Sequence, residues 1–224
     1  KYTDPSGHNP RIPPKERDDY VPPKYVQMYW RNKTEGELAG YQQSQKGNSC
    51  AFNSIASGIN MLSGSNINGN KLSTRIDMGW VPPYGLFFRT APNWATLPVQ
   101  QSNIVNFGPG IPNTVTADSS KSNSADLVDD LFEGLQDPNS VLLLTLYWGK
   151  NQAPQIMFGS PPKDYNSTQK AGGHTMVLAA YDESHQINGA DYQWGFINSW
   201  GLNTNLSWMS TQDLQDAYYG TVTL

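Results

Sequence analysis

The sequence predicts an α+β protein, with helices in its first half facing a β-rich last third. Three observations carry this. Phe52, Ile55, Ala56, Ile59 and Leu62 recur at spacings of three and four after Cys50, which gives a helix one apolar face. Leu127, Val128, Leu131, Phe132 and Leu135 repeat the pattern. From Val141 onward the apolar residues run almost without interruption, as in buried strands.

The elements follow in order. Residues 1–30 carry six prolines among polar and charged residues, which reads as a Pro-rich N-terminal arm or linker, with residues 31–224 as the folded body. Tyr20, Tyr25, Tyr29 and Trp30 give the end of that arm a means of docking on the body. The first helix opens at Cys50 and stops at Gly64. Residues 66–122 read mostly as loop, including the aromatic stretch Trp80 to Phe88 and a Gly108-Pro109-Gly110 turn. Ser124 is a suitable cap for the second helix, Asp126 and Asp129 suit its positive end, and Asp137-Pro138-Asn139 closes it. Strands are expected over Val141–Trp148, His174–Tyr181, Tyr192–Trp200 and Gly220–Leu224, with a polar turn from Asp182 to Asp191.

Composition narrows the function. A net charge of −4 without a basic cluster argues against nucleic acid and anionic membrane as partners. No apolar run approaches the ~20 residues that span a bilayer. One cysteine allows no internal disulfide, and one Cys with three scattered His offers no metal-ligand spacing, so neither metal nor cofactor is expected. Few charges, many Asn, Ser, Thr and Gly, and the lone cysteine lean towards an extracytoplasmic or secreted protein; sequons at Asn32, Asn166 and Asn205 are of a kind that arises often by chance and add little.

The candidate chemistry begins at Cys50. A lone cysteine is ordinarily a small buried hydrophobe. Here it opens the first convincing helix directly after Lys46-Gly47-Asn48-Ser49, where the helix dipole favours the thiolate, the nucleophilic form. Among the histidines, His8 and His185 lie in polar surroundings and read as solvated. His174 follows Gly172-Gly173 and starts an apolar strand, so it is the candidate base. A base needs an acceptor to fix its tautomer, and Asn198, at the end of the next strand, could supply it.

Ser49-Cys50 opening a helix, a Gly-His strand, and Ile197-Asn198-Ser199-Trp200-Gly201 together resemble the signature regions of papain-like cysteine proteases, in the family's order. His174 and Asn198 stand 124 and 148 positions after Cys50, close to the ~130 to 150 of that family. The resemblance covers residues 43–62 and 171–202. It implies a papain-like fold, with a helical part carrying the nucleophile against an antiparallel sheet carrying His and Asn. It also implies hydrolysis of peptide bonds in a peptide or protein substrate, through a Cys-His-Asn triad that works as a thiolate–imidazolium pair. Trp200 would shield the Asn–His hydrogen bond. A glutamine before the cysteine would complete the oxyanion hole; Gln45 is favoured, Gln43 comes second, and Gln42 is also nearby. Ala51 stands where the family has an aromatic residue.

The cleft walls would include the Trp80–Phe88 loop and Trp148, and the N-terminal arm could block the cleft as an inhibitory segment. Two further readings keep the same body. One is an amidase or transpeptidase acting on another amide, and the other is a binding module with an idle site.

Overall fold

A computed structural model describes residues 27–47, 49–77, 97–123, 125–158, 163–164, 171–200 and 205–224. In chain order its elements are β1 (Gln27–Tyr29), a 3-10 turn (Trp30–Asn32), α1 (Glu35–Ala39), α2 (Cys50–Ser63), α3 (Gly69–Asp77) and α4 (Pro98–Phe107). Then come β2 (Asp118–Ser120), α5 (Leu127–Gln136), β3 (Leu142–Trp148), β4 (Ile156–Phe158), β5 (Lys163–Asp164) and β6 (Gly172–Asp182). The last are β7 (Gln186–Ile187), β8 (Ala190–Asp191), β9 (Trp194–Ile197), β10 (Ser207–Met209), α6 (Thr211–Ala217) and β11 (Tyr218–Thr223).

The fold is α+β. One antiparallel sheet runs in the order β2-β11-β3-β6-β9-β10-β4-β5, with β1 added beside the far end of β6 and β7–β8 forming a separate hairpin. β3 and β6 lie at its centre, which is why both are almost wholly apolar: their two faces are covered. Gly58 of α2 approaches Leu143 so closely that a Cβ would lie 3.2 Å from its Cδ2, while a Cβ on Gly134 of α5 would lie 2.3 Å from Leu142 Cδ1. Leu142 and Leu143 point to opposite faces, so α2 and α5 clamp the sheet from opposite sides.

The helix expected after Cys50 is α2, ended by Gly64 at φ +66°. α5 buries Leu127, Leu131, Phe132 and Leu135; its N-cap is Asp126, and Ser124 lies outside the described residues. The loop expected over residues 66–122 is corrected by α3, α4 and β2. Periodicity missed α4 because its most buried residue, Gln101, is polar, and missed α3 because Leu72 and Ile76 are the only large apolar residues in its sequence. β2 is three exposed residues paired with β11 at the edge of the sheet. The strand expected over Tyr192–Trp200 is shorter, and a hairpin occupies the expected polar turn after Asp182. The end of the expected arm belongs to the body: β1 pairs with β6, and buried Trp30 donates from Nε1 to Ser140 O at 2.8 Å. Residues 1–26 and the Trp80–Phe88 loop lie outside the described residues.

Candidate active site

α2 begins at Cys50, and its N-cap Ser49 leaves the first turn without a side-chain cap. Ser49 Oγ instead bonds to Lys46 and to Asn70 Oδ1 at 2.8 Å. One turn along α2, Ser54 Oγ donates to Thr175 O at 2.7 Å, which lays this face of the helix against the start of β6. The Cys50 thiol also lies near enough to the backbone of Thr175, the residue after His174, for that backbone to favour its thiolate form. The nucleophile candidate and the base candidate are thereby brought to one place by two elements far apart in the sequence.

β9 runs antiparallel beside β6, with Val177 opposite Ile197. Continuing that register sets Trp200 across from His174 and puts Asn198 within reach of it. Asn198 Oδ1 lies 2.8 Å from His174 Nε2 and also accepts the Trp200 backbone N–H at 3.2 Å. An amide oxygen can only accept, so His174 Nε2 carries the hydrogen and Nδ1 keeps its lone pair. The Trp200 indole stacks on the imidazole at 4.2 Å between ring centroids and 25° between planes, and Phe158 packs edge-on against that indole.

Both titratable groups are buried, Cys50 at 7% exposure and His174 at 2%. Burial pushes the Cys50 thiol above its ordinary range, and backbone hydrogen bonds from Thr175, Ala51 and Cys50 itself pull the other way without cancelling it. Burial lowers His174 to about 4, although the Asn198 bond favours its protonation. The thiolate–imidazolium pair that the resemblance implies is thus disfavoured here; a neutral thiol and a neutral imidazole are the favoured forms. The consequence for stability has a definite sign. Between pH 6.5 and about 4 the unfolded chain protonates this histidine and the folded one does not. Stability is therefore expected to fall by about 3 kcal/mol as pH drops through that window. Urea unfolding of wild type and His174→Gln at pH 7 and 4 checks this, because the variant should lose that share of the acid sensitivity.

The three glutamines before Cys50 differ in their attachments. Gln43 is committed to the start of α3, donating to Ile67 O and accepting from Gly69 N. Gln42 donates to Asn205 O. Gln45 is joined to the residue after Asn198: its backbone N donates to Ser199 O at 2.8 Å, and its Oε1 accepts from Ser199 Oγ at 2.7 Å. Its Nε2 donates to Gly47 O with one hydrogen, and an amide nitrogen has two.

His185 departs from the solvated reading. It is half-buried and stacked on Trp208 at 3.7 Å, because the β7–β8 hairpin folds it back over the sheet. His8 lies outside the described residues. Trp148 is buried against Gly172, so it supports the base strand.

The sequence reading missed the polar layer beneath the site. Gln101, wholly buried on α4, donates from Nε2 to Thr145 Oγ1 at 2.8 Å and Thr175 Oγ1 at 3.0 Å, tying α4 to β3 and to the residue that meets Cys50. A glutamine on the inner face of a helix has no periodic signature. No protein-family model matches the chain, and no curated protein matches it.

Proposed function

We propose that this chain is a papain-like cysteine peptidase, with Cys50 as nucleophile, His174 as base and Asn198 as the group that orients it. One observation carries the reading: the only cysteine sits against the start of β6, where the adjacent histidine is tautomer-fixed by an asparagine and roofed by a tryptophan.

The chemistry follows from the neutral pair. As sulfur attacks the substrate carbonyl carbon, the thiol proton passes to His174 Nδ1. The oxyanion rests on the Cys50 backbone N–H and the second amide hydrogen of Gln45. The C–N bond then breaks, the amine leaves with the proton from His174, and a thioester remains. Water attacks it, giving its proton to His174; the acid departs and the thiol is restored. Trp200 keeps water from competing for the Asn198–His174 bond. Because the base starts neutral, proton transfer accompanies attack and no ion pair is stored beforehand.

Iodoacetamide labelling tests this directly, since a single cysteine makes the reading unambiguous. The rate at Cys50 is expected to rise with pH through the neutral range, with no fast phase at pH 5. It should drop roughly a hundredfold at pH 7 in His174→Gln. Equal rates in the two proteins would make Cys50 an ordinary buried thiol and leave the idle binding module as the better reading. Labelling that depends on His174, with peptides intact and another amide consumed, would favour the amidase.

A further inference from the structure

Beside the nucleophile lies an open cavity of about 710 Å³, lined by Lys46, Ser49, Asn68, Asn70, Lys71 and Thr74, together with Ser73. We propose that it is a substrate subsite that receives a carboxylate, so that the enzyme prefers an acidic residue next to the bond it cuts. The inference rests on the peptidase reading and deepens it.

Charge is the first argument. The chain carries a net −4, yet this cavity holds two lysines and no carboxylate among its lining residues. Both lysines are exposed, one on the loop before Cys50 and the other on α3, so they approach a common space from two elements. The remaining lining side chains are hydroxyls and amides, and the amide nitrogens of Asn68 and Asn70 have N–H donors to offer a carboxylate.

Position is the second. Ser49 lines the cavity and is bonded to Cys50, so the two Cα atoms are about 3.8 Å apart. Lys46 follows Gln45, the oxyanion candidate. The cavity therefore borders the residues on either side of the proposed nucleophile and oxyanion donor, where a side chain flanking the substrate carbonyl has it within reach.

Rigidity is the third. Asn70 gathers the rim. Its Oδ1 accepts from Lys46 N at 3.0 Å, from Ser49 Oγ at 2.8 Å and from Asn53 Nδ2 at 3.2 Å, while its Nδ2 donates to Ser44 O at 2.8 Å. Asn68 Oδ1 accepts from Lys71 N at 3.0 Å. The loop that carries Lys46 and the helix that carries Lys71 are thus fixed to each other before any ligand arrives, which lowers the ordering cost of binding.

The test compares wild type with Lys46→Glu/Lys71→Glu, two exposed changes outside the triad. First, Cys50 is alkylated with iodoacetate and with iodoacetamide, in which the thiolate displaces iodide from an anionic or a neutral reagent. The iodoacetate-to-iodoacetamide rate ratio should fall several-fold to about tenfold in the double variant. Raised salt should shrink the difference. Second, matched peptides with Glu or Gln at each position flanking the cleaved bond should show a preference for Glu at one of them, lost in the variant. Free and amidated C-termini, compared alongside, separate a side-chain carboxylate from a terminal one. An unchanged ratio together with an unchanged Glu preference would overturn the subsite while leaving the peptidase intact. Loss of His174-dependent labelling in wild type would instead remove the peptidase reading, and the subsite with it.

Discussion

Exchanging Cys50 for serine is expected to cut turnover of a cleavable peptide by roughly 10⁴ to 10⁶, with little change in the melting temperature. The two side chains are close in size, so the packing of α2 on β6 persists. What changes is the proposed nucleophile. A serine hydroxyl holds its proton far more tightly than a thiol, and the available base is weak, because burial lowers His174 to about 4. An imidazole of that basicity can assist a thiol; it has little power over an alcohol. Steady-state kinetics with a fluorogenic peptide, accompanied by a thermal melt of each protein, would check this. A serine variant retaining a tenth of the activity would remove Cys50 from the chemistry. A variant that no longer melts cooperatively would leave the kinetic comparison to Cys50→Ala.

How much of this could be read in the chain depends on what each element rests on. α2 and α5 were legible because their inner faces are apolar at helical spacing, and β3 and β6 because central strands of a covered sheet must be apolar on both sides. Cys50, His174 and Asn198 were legible as residue types at helix and strand boundaries, and the structure gathers their backbones through Thr175 and the β6–β9 register. α4 escaped because Gln101 does with hydrogen bonds what Leu or Ile does elsewhere. β2 escaped because an edge strand of three exposed polar residues owes its form to its partner. The protonation of the site also lay beyond the sequence. A helix terminus predicts a depressed thiol, but how deeply α2 presses that thiol into β6 is a tertiary fact, and there burial outweighs the backbone hydrogen bonds that favour the thiolate.

The other large effect is expected in the core behind the site. Trp194→Ala should destabilise the fold by about 3 to 5 kcal/mol, a substantial part of the ~5 to 15 that holds a typical domain together. Trp194 is wholly buried on β9. Its ring lies 5.1 Å from Phe132 of α5 and 4.8 Å from Tyr181 of β6, and its Nε1 donates to Thr211 Oγ1 at 3.0 Å, at the start of α6. Truncation opens a cavity bordered by three elements and leaves a hydroxyl short of a donor, and rigid strands on either side limit collapse into the gap. For a chain of this size the melting temperature should drop by about 10 °C. Phe107→Ala, at a residue 64% exposed, should move it by no more than a degree or two. A drop of under 2 °C in Trp194→Ala would mean that β9 is not held as described. The same variant separates stability from function, because β9 ends at Ile197 and hands the chain to Asn198. If β9 positions the asparagine, His174-dependent labelling of Cys50 should weaken well below the variant's own melting temperature, as Asn198 drifts from the imidazole before the domain unfolds.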